Sequence, residues 1–217
     1  MTQLEQIAET VRAKLEQKNA ARDQALARSR ALIRHCAITI KSVHRAEWDE
    51  AQASLNAVRE ISREMVAGVR DHPDLYEAGY LQDALKEVAE AFLMYAIIRE
   101  EEPPTPESLE VSPESYLNGL AEAASELRRT ILDILRQGHT DEAERLLASM
   151  DGIYNTLMTF DYPDAITGGL RHRVDSLRAV LERTRGDLTS SLRQQQLQAA
   201  LGKLEQRLQV TGPPSDD

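Results

Sequence analysis

The sequence contains one cysteine, Cys36, in 217 residues. An internal disulfide is therefore impossible, and a reducing compartment is the natural setting. Long hydrophobic runs are also missing: the longest, Ala91 to Ile98, is less than half of the roughly 20 residues that a membrane span requires. The opening MTQLEQIAET lacks a secretion-signal pattern. A soluble, cytoplasmic protein with no membrane partner is expected. Aromatic residues make up only 4% of the chain, against 41% apolar residues in total. Alanine, leucine, glutamate, arginine and glutamine dominate instead, a composition that favours helix nearly everywhere. No glycine-rich loop ends in Lys-Ser or Lys-Thr, which argues against a nucleotide-driven engine. His35, His44, His72, His139 and His172 are scattered, and none completes a Glu-x-x-His pair, which argues against a di-iron bundle.

Net positive charge is lacking too, at −10 overall, yet the distribution matters more than the total. Residues 1–45 carry +5, residues 46–164 carry −17 and residues 165–217 carry +2. Two basic arms around an acidic middle point to a polyanion, a cation, or both as partners.

Periodicity predicts about six helices and no strand, in a single domain over 1–209 with a disordered tail from 210 to 217. The first helix runs from about Thr2 to His44, with Leu26, Ile33, Cys36, Ile40 and Val43 on one side. That placement makes Cys36 a core residue rather than a nucleophile. Its other side carries Arg30, Arg34, Lys41 and Arg45 as one ridge, and no acidic residue occurs between Gln24 and Arg45. A second helix spans about Glu47 to Arg70 and a third about Asp74 to Glu101. The proline-rich stretch from Glu100 to Ser108 then acts as a linker. Ser112-Pro113 opens a fourth helix that ends at Gly138. A fifth runs from Thr140 to about Phe160, and the last begins near Gly168-Gly169 and ends near Gln209. The similar Trp48-Asp-Glu-Ala and Thr140-Asp-Glu-Ala are two helix starts with acidic first turns.

Two carboxylate pairs carry the candidate chemistry. In KEVAEAFLMY, Glu87 and Glu90 are three residues apart and share a helix face, where like charges repel by a few tenths of a kcal/mol. In GLAEAASELRR, Glu122 and Glu126 are one turn apart, well away from the apolar stripe Leu117, Leu120, Ala124, Leu127 and Ile131. Each pair alone reads as a solvated face. If the two helices lie side by side, four oxygen ligands converge, a set suited to Mg²⁺, Mn²⁺ or Ca²⁺ rather than zinc. Such ions activate water and stabilise phosphoryl charge, and a basic ridge nearby would hold a nucleic-acid backbone.

The chain resembles the translin superfamily. The resemblance is carried by KEVAEAF, by Tyr116-Leu-Asn-Gly-Leu-Ala-Glu-Ala-Ala-Ser-Glu-Leu-Arg-Arg129, and by Asp151-Gly-Ile-Tyr154. Tyr162-Pro-Asp-Ala-Ile-Thr-Gly-Gly-Leu-Arg-His-Arg173 and Glu182-Arg-Thr-Arg-Gly-Asp187 extend it. It implies an all-α subunit that assembles, commonly as an octamer, into a hollow shell binding single-stranded RNA or DNA. One branch of the family also cuts RNA with a divalent metal held inside the shell. The family's acidic positions fall on Glu87, Glu90, Glu122 and Glu126, with Mg²⁺ or Mn²⁺ as the implied cofactor and the same four as catalytic residues. Where the family usually has aspartate, this chain has the longer Glu122. Arg30, Arg34, Lys41 and Arg45, with Arg128 and Arg129, are the candidate phosphate contacts; salt bridges to nearby acids are the alternative for Arg128 and Arg129. Arg171, Arg173 and Arg178 are weaker candidates. Three functions stay open: a metal-dependent endoribonuclease, a binder that does not cleave, and a helical scaffold with no nucleic-acid partner.

Overall fold

The first helix begins where the sequence supplies both halves of a capping box. The Thr2 hydroxyl accepts from the Glu5 amide, and the Glu5 carboxylate accepts from the Thr2 amide at 2.7 Å, so two otherwise unpaired donors are satisfied. In the computed structural model, which describes residues 2–138 and 140–210, this helix is α1 (Gln3–His44). It is followed by α2 (Trp48–Gly68), α3 (Pro73–Tyr76), α4 (Gly79–Arg99), α5 (Pro106–Leu109), α6 (Pro113–Arg136), α7 (Thr140–Leu157), α8 (Asp164–Thr167) and α9 (Leu170–Val210). Among the described residues every regular element is a helix, and none is long and apolar enough to cross a membrane. The tail expected to be disordered lies outside the described residues, apart from Val210 at the end of α9.

Six of these helices are the long ones expected, and three are single turns. The break between α3 and α4 was not visible in the sequence: Ala78 adopts an extended ψ of 135°, although alanine is the best helix former. The Gln82 side chain donates to the Tyr76 carbonyl at 2.8 Å and closes the corner. α5 interrupts the linker because Thr105 caps it and Pro106 occupies its first turn. Ser112 and Pro113 do the same for α6, with the Ser115 amide donating to the Ser112 hydroxyl at 3.2 Å.

Two cores form. Leu32 and Cys36 of α1, Leu55 and Met65 of α2, and Leu85 and Met94 of α4 bury one. Leu127 and Ile131 of α6, Leu146 and Met150 of α7, and Leu177 and Leu181 of α9 bury the other. Each fully buried side chain of this size contributes about 1.5–3 kcal/mol. α4 and α6 join the two cores, crossing at Gly119. A Cβ there would lie 2.7 Å from both the Ala89 Cβ and the Lys86 carbonyl oxygen, so glycine alone permits the approach. This crossing sets KEVAEAF directly against GLAEAASE.

Candidate functional site

The crossing brings Glu87 and Glu90 of α4 together with Glu122 of α6. One oxygen from each lies within 4.8 Å of the others. Glu126 is not in this group. Its Oε1 accepts instead from Nε2 of His44 at 2.7 Å, and His44 Nδ1 lies 3.0 Å from the Thr130 hydroxyl. The expected quartet is thus a triad with a fourth carboxylate beside it, held by α1.

Basic side chains fill part of the space between the carboxylates. Lys86 Nζ stands 2.6 Å from Glu122 Oε2 and 3.2 Å from Glu87 Oε1. Arg173 Nε donates to Glu122 Oε1 at 2.9 Å, and its Nη1 donates to Asn118 Oδ1 and to the Gly168 carbonyl. Asn118 Nδ2 in turn donates to the Thr167 carbonyl at 2.7 Å. Gly168 and Gly169, both with positive φ, form the turn that aims α9 and Arg173 at α6. That pair is structural: it ends α8 and leads into α9.

The electrostatics follow from this arrangement. Burial would raise Glu122, but hydrogen bonds from Lys86 and Arg173 overcome it and hold the carboxyl below its usual range. Burial likewise works against the Lys86 charge, and the hydrogen bond and charge of Glu122 outweigh it, leaving the ammonium more firmly protonated. Glu90 has only the charge of Lys86 to favour its ionised form. It is 9% exposed and makes neither hydrogen bond nor ion pair among the described residues. Burial first, then the charges of Glu87 and Glu122, push its carboxyl up to about 8. Burial and the charges of Glu87 and Glu90 also raise Cys36, whose side chain is fully enclosed in the core, so it is not a nucleophile.

A hard divalent cation fits these residues. The donors are all carboxylate oxygens at close spacing, and Glu90, largely buried and without a hydrogen bond, is the group a cation would satisfy. Lys86 is the competing charge for the same oxygens.

The ridge on α1 is exposed along its length. Arg30, Arg34 and Lys41 make no ion pair among the described residues, and Arg45 lies 4.0 Å from Glu47. Lys18 and Arg28, earlier on the same helix, pair with Asp74 and Glu64. Lys41 precedes His44 by three residues, roughly 60° around the helix, so the Lys41 end of the ridge is the end nearest Glu126. Arg128 is engaged elsewhere, 2.7 Å from Asp187 and donating to Thr184, which is the salt-bridge alternative. Arg129 is exposed and lines, with Glu126, an open groove of about 550 Å³ on α6. Arg171 and Arg178 are exposed on α9. Lys86, His44, Asn118 and the role of Arg173 were not found from sequence spacing.

Fold and site define an all-helical subunit with a carboxylate centre clamped by basic side chains at a helix crossing. No protein-family model matches the chain. An uncharacterized protein of Methanocaldococcus jannaschii is 30% identical over 193 residues, 88% of this chain and 85% of that protein. Among solved structures, AfC3PO in complex with duplex RNA has a TM-score of 0.78 and 34% identity over 85% of this chain and 95% of its own. Apo-NeC3PO matches with a TM-score of 0.76 over 88% of this chain and 98% of its own, at 20% identity, a likeness of fold. C3PO is a translin-family assembly, and this chain belongs to the translin superfamily.

Proposed function

We propose that the chain is a subunit of a hollow homo-oligomer, an octamer by family resemblance, that binds single-stranded RNA and cleaves it with Mg²⁺ or Mn²⁺ held at the acidic centre. The observation that carries this reading is Glu90, enclosed and unpartnered within reach of Glu87 and Glu122. A divalent ion, when bound, would supply charge for a scissile phosphate and lower the pKa of a water molecule. Glu87, Glu90 and Glu122 would hold it, with Glu126 alongside. Lys86 and Arg173 keep Glu122 ionised and fixed. One carboxylate of the centre would take the proton of the attacking water. Arg30, Arg34, Lys41 and Arg45 would position the strand through its phosphates without reading sequence. Apolar side chains on uncovered helix ends, Leu4, Ile7, Val11 and Leu15 on α1 and Leu197, Leu201 and Leu204 on α9, give an assembly surface to bury.

A second reading, a binder that does not cleave single-stranded RNA or DNA, is supported by a different observation. Glu122 is already neutralised by Lys86 and Arg173, and Glu126 is occupied by His44. Labelled single-stranded and duplex RNA, incubated with the wild type and with Glu90→Gln in Mn²⁺, separate the two. Cleavage of the single strand by the wild type alone supports the nuclease. Salt-sensitive binding with no cleavage by either protein supports the binder. Equal cleavage by both removes the centre from the reaction.

A further inference from the structure

Histidine at position 44 attracts no notice in the sequence, but its environment is unusual for a side chain beside a solvated glutamate. The ring is 2% exposed, and both nitrogens are engaged by one neighbour each. Both neighbours, Glu126 and Thr130, come from α6, one turn apart, while His44 ends α1, 82 residues before Glu126. A carboxylate only accepts, so Nε2 carries the proton that Glu126 receives. In the neutral ring Nδ1 is then an acceptor, and the Thr130 hydroxyl donates to it. The imidazole is thereby fixed in tautomer and in rotation. Glu126, about one-third exposed, keeps its Oε2 without a partner among the described residues. Its charge is also felt at Glu90, although Glu126 lies outside the group whose oxygens are within 4.8 Å of one another.

We infer that His44 is a positioning residue of the acidic centre: locked by Thr130, it holds Glu126 by one oxygen and leaves the other free for the cation that Glu87, Glu90 and Glu122 hold. The physical reason is that a carboxylate on a long, flexible side chain loses rotamer entropy when it ligates, and a buried hydrogen bond to one oxygen removes that loss beforehand. Glutamate is the side chain that most needs such a brace. The inference rests on the metal reading above. It draws on the same Glu90, a largely buried residue whose carboxylate has no hydrogen-bond partner at that centre.

The test is calorimetric titration of Mn²⁺ into the full-length protein as wild type, His44→Ala, His44→Gln and Thr130→Val, with metal-free RNA binding measured alongside. His44→Ala is expected to weaken Mn²⁺ binding about 10- to 100-fold, as loss of outer partners of metal ligands does, and to leave RNA affinity unchanged. His44→Gln, whose amide can still donate to Glu126, should recover part of the loss. Thr130→Val keeps the shape and removes only the lock, so it decides the matter if His44→Ala does not fold. It should weaken Mn²⁺ by a smaller factor. Wild-type Mn²⁺ affinity in Thr130→Val, with no recovery in His44→Gln, assigns His44 to packing and overturns the inference while sparing the nuclease reading. A wild type that binds no Mn²⁺ overturns both.

Discussion

Replacing Glu90 by glutamine should stabilise the protein, and only above mildly acidic pH. An unfolded glutamate titrates near 4.5 and the folded Glu90 near 8. The folded state therefore retains a proton that the unfolded state releases, so stability contributed at low pH is lost as pH rises from about 4.5 through about 8. At 1.36 kcal/mol for each pKa unit, the loss is about 3 kcal/mol at pH 7 and about 5 kcal/mol once both states are ionised. Glutamine preserves the shape and carries no charge, so the variant should escape this loss. Urea unfolding of both proteins at one protomer concentration, at pH 4.5, 7 and 9, measures the difference directly. Near-equal stability at pH 4.5 and a gap of a few kcal/mol at pH 9 are expected. Excess Mn²⁺ should close most of that gap by stabilising the wild type alone. Parallel curves at all three pH values would refute the claim that Glu90 lacks compensation in the fold.

Lys86→Met removes a positive charge that shares oxygens with the cation. At about 4 Å, even in a water-like dielectric, its repulsion of a divalent ion is roughly 2 kcal/mol, so calorimetry should show Mn²⁺ binding more than about tenfold tighter; weaker binding would make Lys86 a support rather than a competitor. Replacing Arg30, Arg34 and Lys41 together by alanine should weaken RNA binding and reduce the slope of log affinity against log salt by about 2, with Mn²⁺ affinity unchanged; an unaltered slope would place the strand elsewhere. Gly119→Ala forces α4 from α6, and thermal or urea unfolding should show a loss of about 1–3 kcal/mol, with weaker Mn²⁺ binding because the triad spans that crossing.

Much of the scaffold was legible because its signals are local. The Ser112-Pro113 start and the apolar spacing of α6 act within a few residues, and the structure follows them; on α1 Cys36 and Val43 are buried as expected, but Ile33 faces outward and Leu32 takes its place in the core. The approach of α4 to α6 left no such trace: Gly119 sits in a helical pattern as Gly152 and Gly186 do, yet those two have open space where a Cβ would be and Gly119 alone of the three has a neighbour against it. What spacing misses is contact between elements distant in the chain. Glu122 and Glu126 look equivalent, one turn apart on a single face. They differ because Arg173, brought in by the Gly168-Gly169 turn, reaches one, and His44, at the end of α1, reaches the other. Lys86 stands beside Glu87 in sequence, yet nothing local says that its ammonium lies across the helix crossing on Glu122.

Those long-range contacts also explain why the centre is poised. Three clustered carboxylates meet two cations, Lys86 and Arg173, which leaves one negative charge uncompensated in an enclosed site. Both cations favour Glu122, so the deficit falls on Glu90. A proton on Glu90 removes it at neutral pH, and a divalent ion shared with Glu87 and Glu122 removes it when bound. These are alternative answers to one electrostatic problem. The pH dependence of folding and the affinity for Mn²⁺ must therefore change together: any substitution that flattens the first by neutralising position 90 has to weaken the second, and Glu90→Gln measures both in one protein.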